Sequence, residues 1–133
     1  MSAIRIFPAY TATDLNKTLA WYRDVMGFDV GQVFEDDGVL VGAAVQFGNI
    51  GIWLSQDDFA KGRDRQKGEG FRIIVEVMGD IDEIADGIVE RGGELAMGPV
   101  DQPWGARIFA VEDPDGFKIS FSSPAVDPDE IVN

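Results

Sequence analysis

The sequence predicts an α+β fold in which two βαβββ modules form a curled mixed sheet, with a cleft on one side and the helices on the outer face. Three observations carry the prediction. The order strand, helix, three strands occurs twice in 133 residues. Both helical segments open on an aspartate and close on glycine. The strands alternate apolar and polar residues, so each has one face to place under a helix and one to leave open.

The first module, about residues 3–56, begins with "IRIFPAY", an alternating strand in which Ile4, Ile6 and Pro8 are expected in the core. "TDLNKTLAWYRDVM" follows as a helix capped by Thr13 or Asp14. Its apolar stripe is Leu15, Leu19, Tyr22 and Met26, and it ends at Gly27. Trp21 falls on the opposite side, as a subunit contact or an exposed aromatic. "FDVGQVF", "VLVGAAVQF" and "IGIWLSQ" are three strands separated by "EDDG" and "GN", both good turn chemistry.

Residues 57–70, "DDFAKGRDRQKGEG", are polar and glycine-bearing and read as an exposed linker. The second module, about residues 71–123, repeats the order: "FRIIVEV" as a strand, "GDIDEIADGIVERG" as a capped helix, then "GELAMGPV", "ARIFAVE" and "FKISFSS" as strands. Residues 124–133 form an acidic tail with two prolines, expected to be loosely held.

Composition removes several chemistries. With no cysteine and no histidine there is no thiolate, no disulfide and no imidazole base or ligand, so metal or acid–base work would fall to carboxylates. Eleven basic against twenty-four acidic residues give a net charge of −13, a field that opposes nucleic acid and anionic membrane and attracts cations. No apolar run approaches a membrane span and the N-terminus does not resemble a signal peptide, so the expected location is the cytoplasm. No Ser-His-Asp set, GxSxG elbow or phosphate-binding glycine loop is present. Asp113 and Asp115 in "DPDG" are expected to hydrogen-bond their own turn, and Glu35-Asp36-Asp37 and Asp57-Asp58 to be solvated loops.

"DLNKTLAWYRDVMGF" resembles the first helix of the vicinal oxygen chelate superfamily, the glyoxalase/bleomycin-resistance/dioxygenase fold, and "PWGARIFAVEDPDGFKISF" is similar to its last hairpin. With the repeated order, the resemblance covers nearly the whole chain. It implies a single domain of two modules, and a homodimer in which half-barrels pair across subunits. In metal-dependent members, inward side chains from the first and fourth strand of each half, usually histidines and glutamates, hold a divalent ion. The positions that match here are Phe7, Trp53, Arg72 and Ser120. Phenyl and indole offer no suitable donor, arginine is a permanent cation and one hydroxyl cannot hold a metal alone. The resemblance therefore points to the metal-independent, bleomycin-resistance-like branch, with no cofactor.

The expected ligand site is a cleft with aromatic walls. Phe7 and Trp53 enter it, Trp104 in "DQPWG" lies at its edge, and Arg72, Glu76 and Ser120 share its inner face. Trp53 is also readable as packing and Trp104 equally as a loop anchor, while Phe47, Phe109 and Phe117 read as core. Flat aromatic faces suit planar or cationic guests. Arg72 needs either Glu76 or a ligand's carboxylate, amide or phosphate as partner. The functional expectation is a small-molecule binding protein that sequesters a planar or partly cationic aromatic compound such as an antibiotic. The alternatives are a metal-independent lyase or isomerase-type enzyme using Arg72, Glu76 or Tyr10 on a carbonyl substrate, and a regulatory ligand-binding module.

Overall fold

A computed structural model describes residues 1–124; most of the predicted acidic tail, residues 125–133, lies outside the described residues. The chain divides into two compact units, Met1–Arg65 and a second beginning at Gln66. Each is a four-stranded mixed sheet with one helical segment, and neither sheet closes on itself.

In the first unit β1 (Ala9–Ala12) leads into α1 (Leu15–Ala20), and β2 (Asp29–Asp36), β3 (Val39–Phe47) and β4 (Ile50–Gln56) follow. The spatial order is β1-β4-β3-β2, with β1 parallel to β4 and the other pairs antiparallel. Helix α1 starts where it does because the Asp14 side chain accepts the Lys17 N–H at 3.2 Å. Gln56, at the end of β4, holds the same terminus. Its Oε1 accepts the Leu15 N–H at 2.8 Å and its Nε2 donates to the Thr13 carbonyl at 2.8 Å.

The predicted stripe is buried in full: Leu15, Leu19, Tyr22 and Met26 are each 9% exposed or less, against Tyr10, Val45, Ile52 and Leu54 of the sheet. Each such fully buried side chain contributes about 1.5–3 kcal/mol. The helix is not uniform, however. From Trp21 to Val25 it widens to a π turn, with the Met26 N–H bonded to the Trp21 carbonyl and the Phe28 N–H to that of Tyr22. Gly27 then leaves at φ 78°. Trp21 is half-buried, edge-on to Tyr22 at 4.9 Å.

The first strand begins later than its alternation suggests. Ile4 and Ile6 are each 96% exposed, not core, and β pairing starts with the Pro8 carbonyl, which accepts the Trp53 N–H at 3.0 Å. Proline has no N–H to give the ladder, and the pattern upstream of Pro8 is not paired with this sheet.

The second unit repeats the plan with β5 (Arg72–Glu76), α2 (Ile81–Glu90), β6 (Met97–Asp101), β7 (Arg107–Glu112) and β8 (Lys118–Ser122), in the order β5-β8-β7-β6 with β5 parallel to β8. Asp80 caps α2 by accepting the N–H groups of Asp82 and Glu83, and the helix buries Ile81, Ala85 and Ile88. Under it Phe109 and Phe121 stack at 5.0 Å. Arg107 fixes the start of α2 over the sheet: it grips both carboxylate oxygens of Asp82 at 2.8 and 3.0 Å and reaches Asp101 at 3.0 Å. The hydrogen bonds from Arg107 hold the Asp82 carboxyl below its ordinary range.

Three loop readings need correction. Glu35 and Asp36 are solvated as expected but belong to the end of β2, paired with Leu40 and Val39, so only Asp37 and Gly38 make the turn. Asp57, expected in a solvated loop, is 7% exposed. Its N–H completes the sheet on the Ala12 carbonyl, while its carboxylate accepts the Phe59 N–H at 2.8 Å and stands 3.4 Å from Arg65. Asp113 does close its own turn, accepting the N–H groups of Asp115 and Phe117. Asp115, in contrast, pairs with Lys67 at 3.6 Å, both side chains being under a tenth exposed. The end of the predicted linker is thus strapped to the DPDG turn and is not exposed throughout.

Candidate functional site

Helix α1 covers one face of the first sheet and leaves the other open. The register pairs Ala9 with Trp53 and Ala44 with Trp53, and sets Gln46 beside Gly51 and Gly42 beside Ser55, all on the open face. Trp53 dominates it. Its indole N–H donates to the Ser55 hydroxyl at 2.8 Å, and the Phe34 ring meets it edge-on at 5.5 Å. The benzo edge lies across Gly42, where a β-carbon would come within 2.5 Å of Cζ2, so this ring position requires glycine beneath it.

Beside Trp53 is a hollow of about 450 Å³, lined by Arg5, Phe7, Gln32, Gln46 and Asn49 among others. Phe7 is 48% exposed, and the Arg5 guanidinium lies 4.9 Å from the centre of its ring. Two of the six predicted site residues, Phe7 and Trp53, are therefore brought together. Two aromatic walls, one cation and three side-chain amides are suited to holding a planar guest that has polar groups at its rim.

The other four belong to the second unit. Arg72 and Glu76 stand on the open face of β5 and are both exposed. They share a face but are not bonded, being roughly 13 Å apart along the strand. Arg72 is level with Lys118, and Ser120 sits between Ile74 and Ala110 in the register, only 3% exposed. Trp104 is 60% exposed in the turn before β7. That turn enters β7 at Arg107, whereas Arg72 is level with the far end of β7, so the two are not neighbours.

Arg5 lines the hollow on the cleft-facing side where strand alternation puts it, although no site role follows from that alternation, and two residues that hold Trp53, Phe34 and Gly42, carried no role in the sequence reading. Gly42 had a signal, since a glycine inside "VLVGAAVQF" marks a place where something approaches the backbone closely. Phe34 had none, because irregular register between Val30 and Val33 and again between Phe34 and Glu35 breaks the alternation that would assign its face.

The profile of the Glyoxalase/Bleomycin resistance protein/Dioxygenase superfamily matches residues 7–121. The chain belongs to this superfamily. Solved structures agree on the fold. TioX from Micromonospora sp. ML1 is 22% identical over 88% of this chain and 96% of its own, with a TM-score of 0.72. A glyoxalase/bleomycin resistance protein/dioxygenase from Nocardioides is 18% identical over 99% and 92%, with a TM-score of 0.71. UcmS2 is 16% identical over 91% and 98%, at 0.72. A search of curated proteins found no significant relative.

The metal ion of the superfamily's metal-dependent members does not fit these residues. At the four positions that the sequence resemblance equates with metal ligands stand a phenyl ring, an indole whose N–H is committed to Ser55, an exposed guanidinium and a hydroxyl. Among the described residues no group of three or more carboxylates is placed to hold an ion either.

Proposed function

We propose that the protein is a metal-independent small-molecule binding protein that sequesters a planar or partly cationic aromatic compound, an antibiotic being the type case, on the open face of its first sheet. The observation that carries the reading is Trp53, fixed across Gly42 by Phe34 and Ser55 beside a hollow that Phe7 and Arg5 also line. Such a ring presents a flat, rigid anchor at small entropic cost. Arg72, Glu76, Trp104 and Ser120, all of the second unit, remain a separate proposal as ligand contacts of that unit. The enzyme alternative is less supported, because Tyr10, one of its three proposed residues, is 3% exposed on the helix-covered face.

The protein would act in the cytoplasm as a homodimer, with a second copy covering the exposed Ile4 and Ile6; sedimentation at micromolar concentration should give a dimer, and a monomer would reject that assembly. A screen of planar and cationic antibiotics against metal-stripped protein should yield a guest that quenches tryptophan fluorescence saturably. Trp53→Ala should weaken that guest by about 1–3 kcal/mol while the protein stays folded by circular dichroism. A folded Trp53→Ala protein with unchanged affinity would place the site elsewhere. Chemical conversion of the guest would replace sequestration with catalysis.

A further inference from the structure

The hollow beside Trp53 has a charge opposite to that of the protein. The chain carries −13, yet no aspartate or glutamate is among the residues lining the hollow, and Arg5 is its one formal charge. Among the described residues Arg5 has no ion pair; its guanidinium lies over the Phe7 ring, which leaves its N–H edge free to donate. Gln32, Gln46 and Asn49 add neutral donors and acceptors but no carboxylate to receive a cation. We infer that this site selects a planar aromatic guest bearing a carboxylate or equivalent anionic group, which Arg5 receives while the aromatic rings lie against Trp53 and Phe7.

The inference rests on the proposed guest site and fixes which end of the guest enters it. A guest with both charge types would keep its cationic part outside the hollow, toward the acidic remainder of the surface. The chain's long-range field works against this selection, since a net charge of −13 favours cations at a distance. A preference for the anion can therefore come only from a local contact. A carboxylate on a guanidinium is a charge-assisted, often bidentate pair, stronger than the same group's bond to an amide.

Three probes that differ in one group test it: 2-naphthoate, 2-naphthamide and 2-naphthylmethylammonium. Binding is read from the shift of the Trp53 indole N–H resonance, assigned by its loss in Trp53→Phe. Naphthoate should bind about tenfold more tightly than naphthamide, with the methylammonium probe weakest. Arg5→Gln should bring naphthoate down to the level of naphthamide. Lys61→Gln, which removes the same charge outside the hollow, should keep the preference. If the methylammonium probe binds as tightly as naphthoate, or Arg5→Gln keeps the preference, the inference is overturned while the guest site stands. If none of the three probes moves the Trp53 resonance saturably, the guest site falls with it.

Discussion

Gly68→Ala should destabilise the second unit by about 3–5 kcal/mol. Gly68 has φ +77°, a left-handed conformation that costs a residue with a side chain about 1–2 kcal/mol by itself. A β-carbon there would also overlap the Gly116 carbonyl oxygen, with the Phe117 Cα close behind at 3.0 Å. These are backbone atoms of a turn already closed by Asp113 and cannot rotate away.

Pushing the two segments apart would also strain the pairing of Lys67 with Asp115, two side chains that are 7% and 8% exposed, and the Lys118 contact to the Gly68 carbonyl. Separating a buried ion pair leaves each charge without its compensation, and that is where most of the loss arises. Gly70→Ala is the matched comparison. Its φ is +70° but a β-carbon would meet nothing within 4 Å, so only the backbone cost of about 1–2 kcal/mol applies. Urea unfolding of both variants measures the difference, and equal losses would show that the close approach of Gly68 to Gly116 contributes nothing.

This clasp also marks where sequence reading stopped. "DPDG" announced a turn and Asp113 behaves as an isolated turn residue should, but nothing in residues 57–70 shows that Lys67 and Gly68 return to it, because that contact joins positions about fifty apart. Periodicity and capping, which are local, were legible. Strands β3 and β4 fall on the predicted residues, and the helix stripe from Leu15 to Met26 is buried as its spacing requires. The facing of β5 was also legible: Ile73, Val75 and Val77 are the more covered residues, while Arg72, Ile74 and Glu76 are exposed.

Where locality failed, a physical cause is visible each time. Pro8 ends a pattern that alternation alone would extend to Ile4, and the irregular pairing of β2 hides the facing of Phe34. That Phe7 and Trp53 line one hollow was legible, because alternation reads both onto the face away from the helix even though β1 itself starts only at Ala9. Alternation reads Arg5 onto that face too, but says nothing about the lack of any carboxylate around it, which depends on Gln32 and Gln46 from two further strands.

Gly42→Ala is expected to weaken guest binding while leaving the protein folded, which separates the role of Trp53 as a platform from any role as packing. Alanine is at least as compatible with a strand as glycine, so β3 itself has no reason to fail. The added methyl would, however, stand 2.5 Å from Trp53 Cζ2 and 3.0 Å from Cη2. The indole is the group that can move. It must lift from the sheet, giving up its bond to the Ser55 hydroxyl and its edge contact with Phe34.

A ring no longer held in one orientation has lost its pre-organisation, and a guest must then supply the cost of ordering it as well as of binding. Affinity for any guest that quenches Trp53 should fall at least about tenfold, comparable with the weaker end of Trp53→Ala. The indole N–H resonance of Trp53 should shift at the same time as its hydrogen bond is lost, and thermal unfolding should change far less than in Gly68→Ala. A Gly42→Ala protein that keeps both its Trp53 resonance and its affinity would mean that the ring does not depend on the glycine beneath it, and that the guest is held somewhere other than on this face.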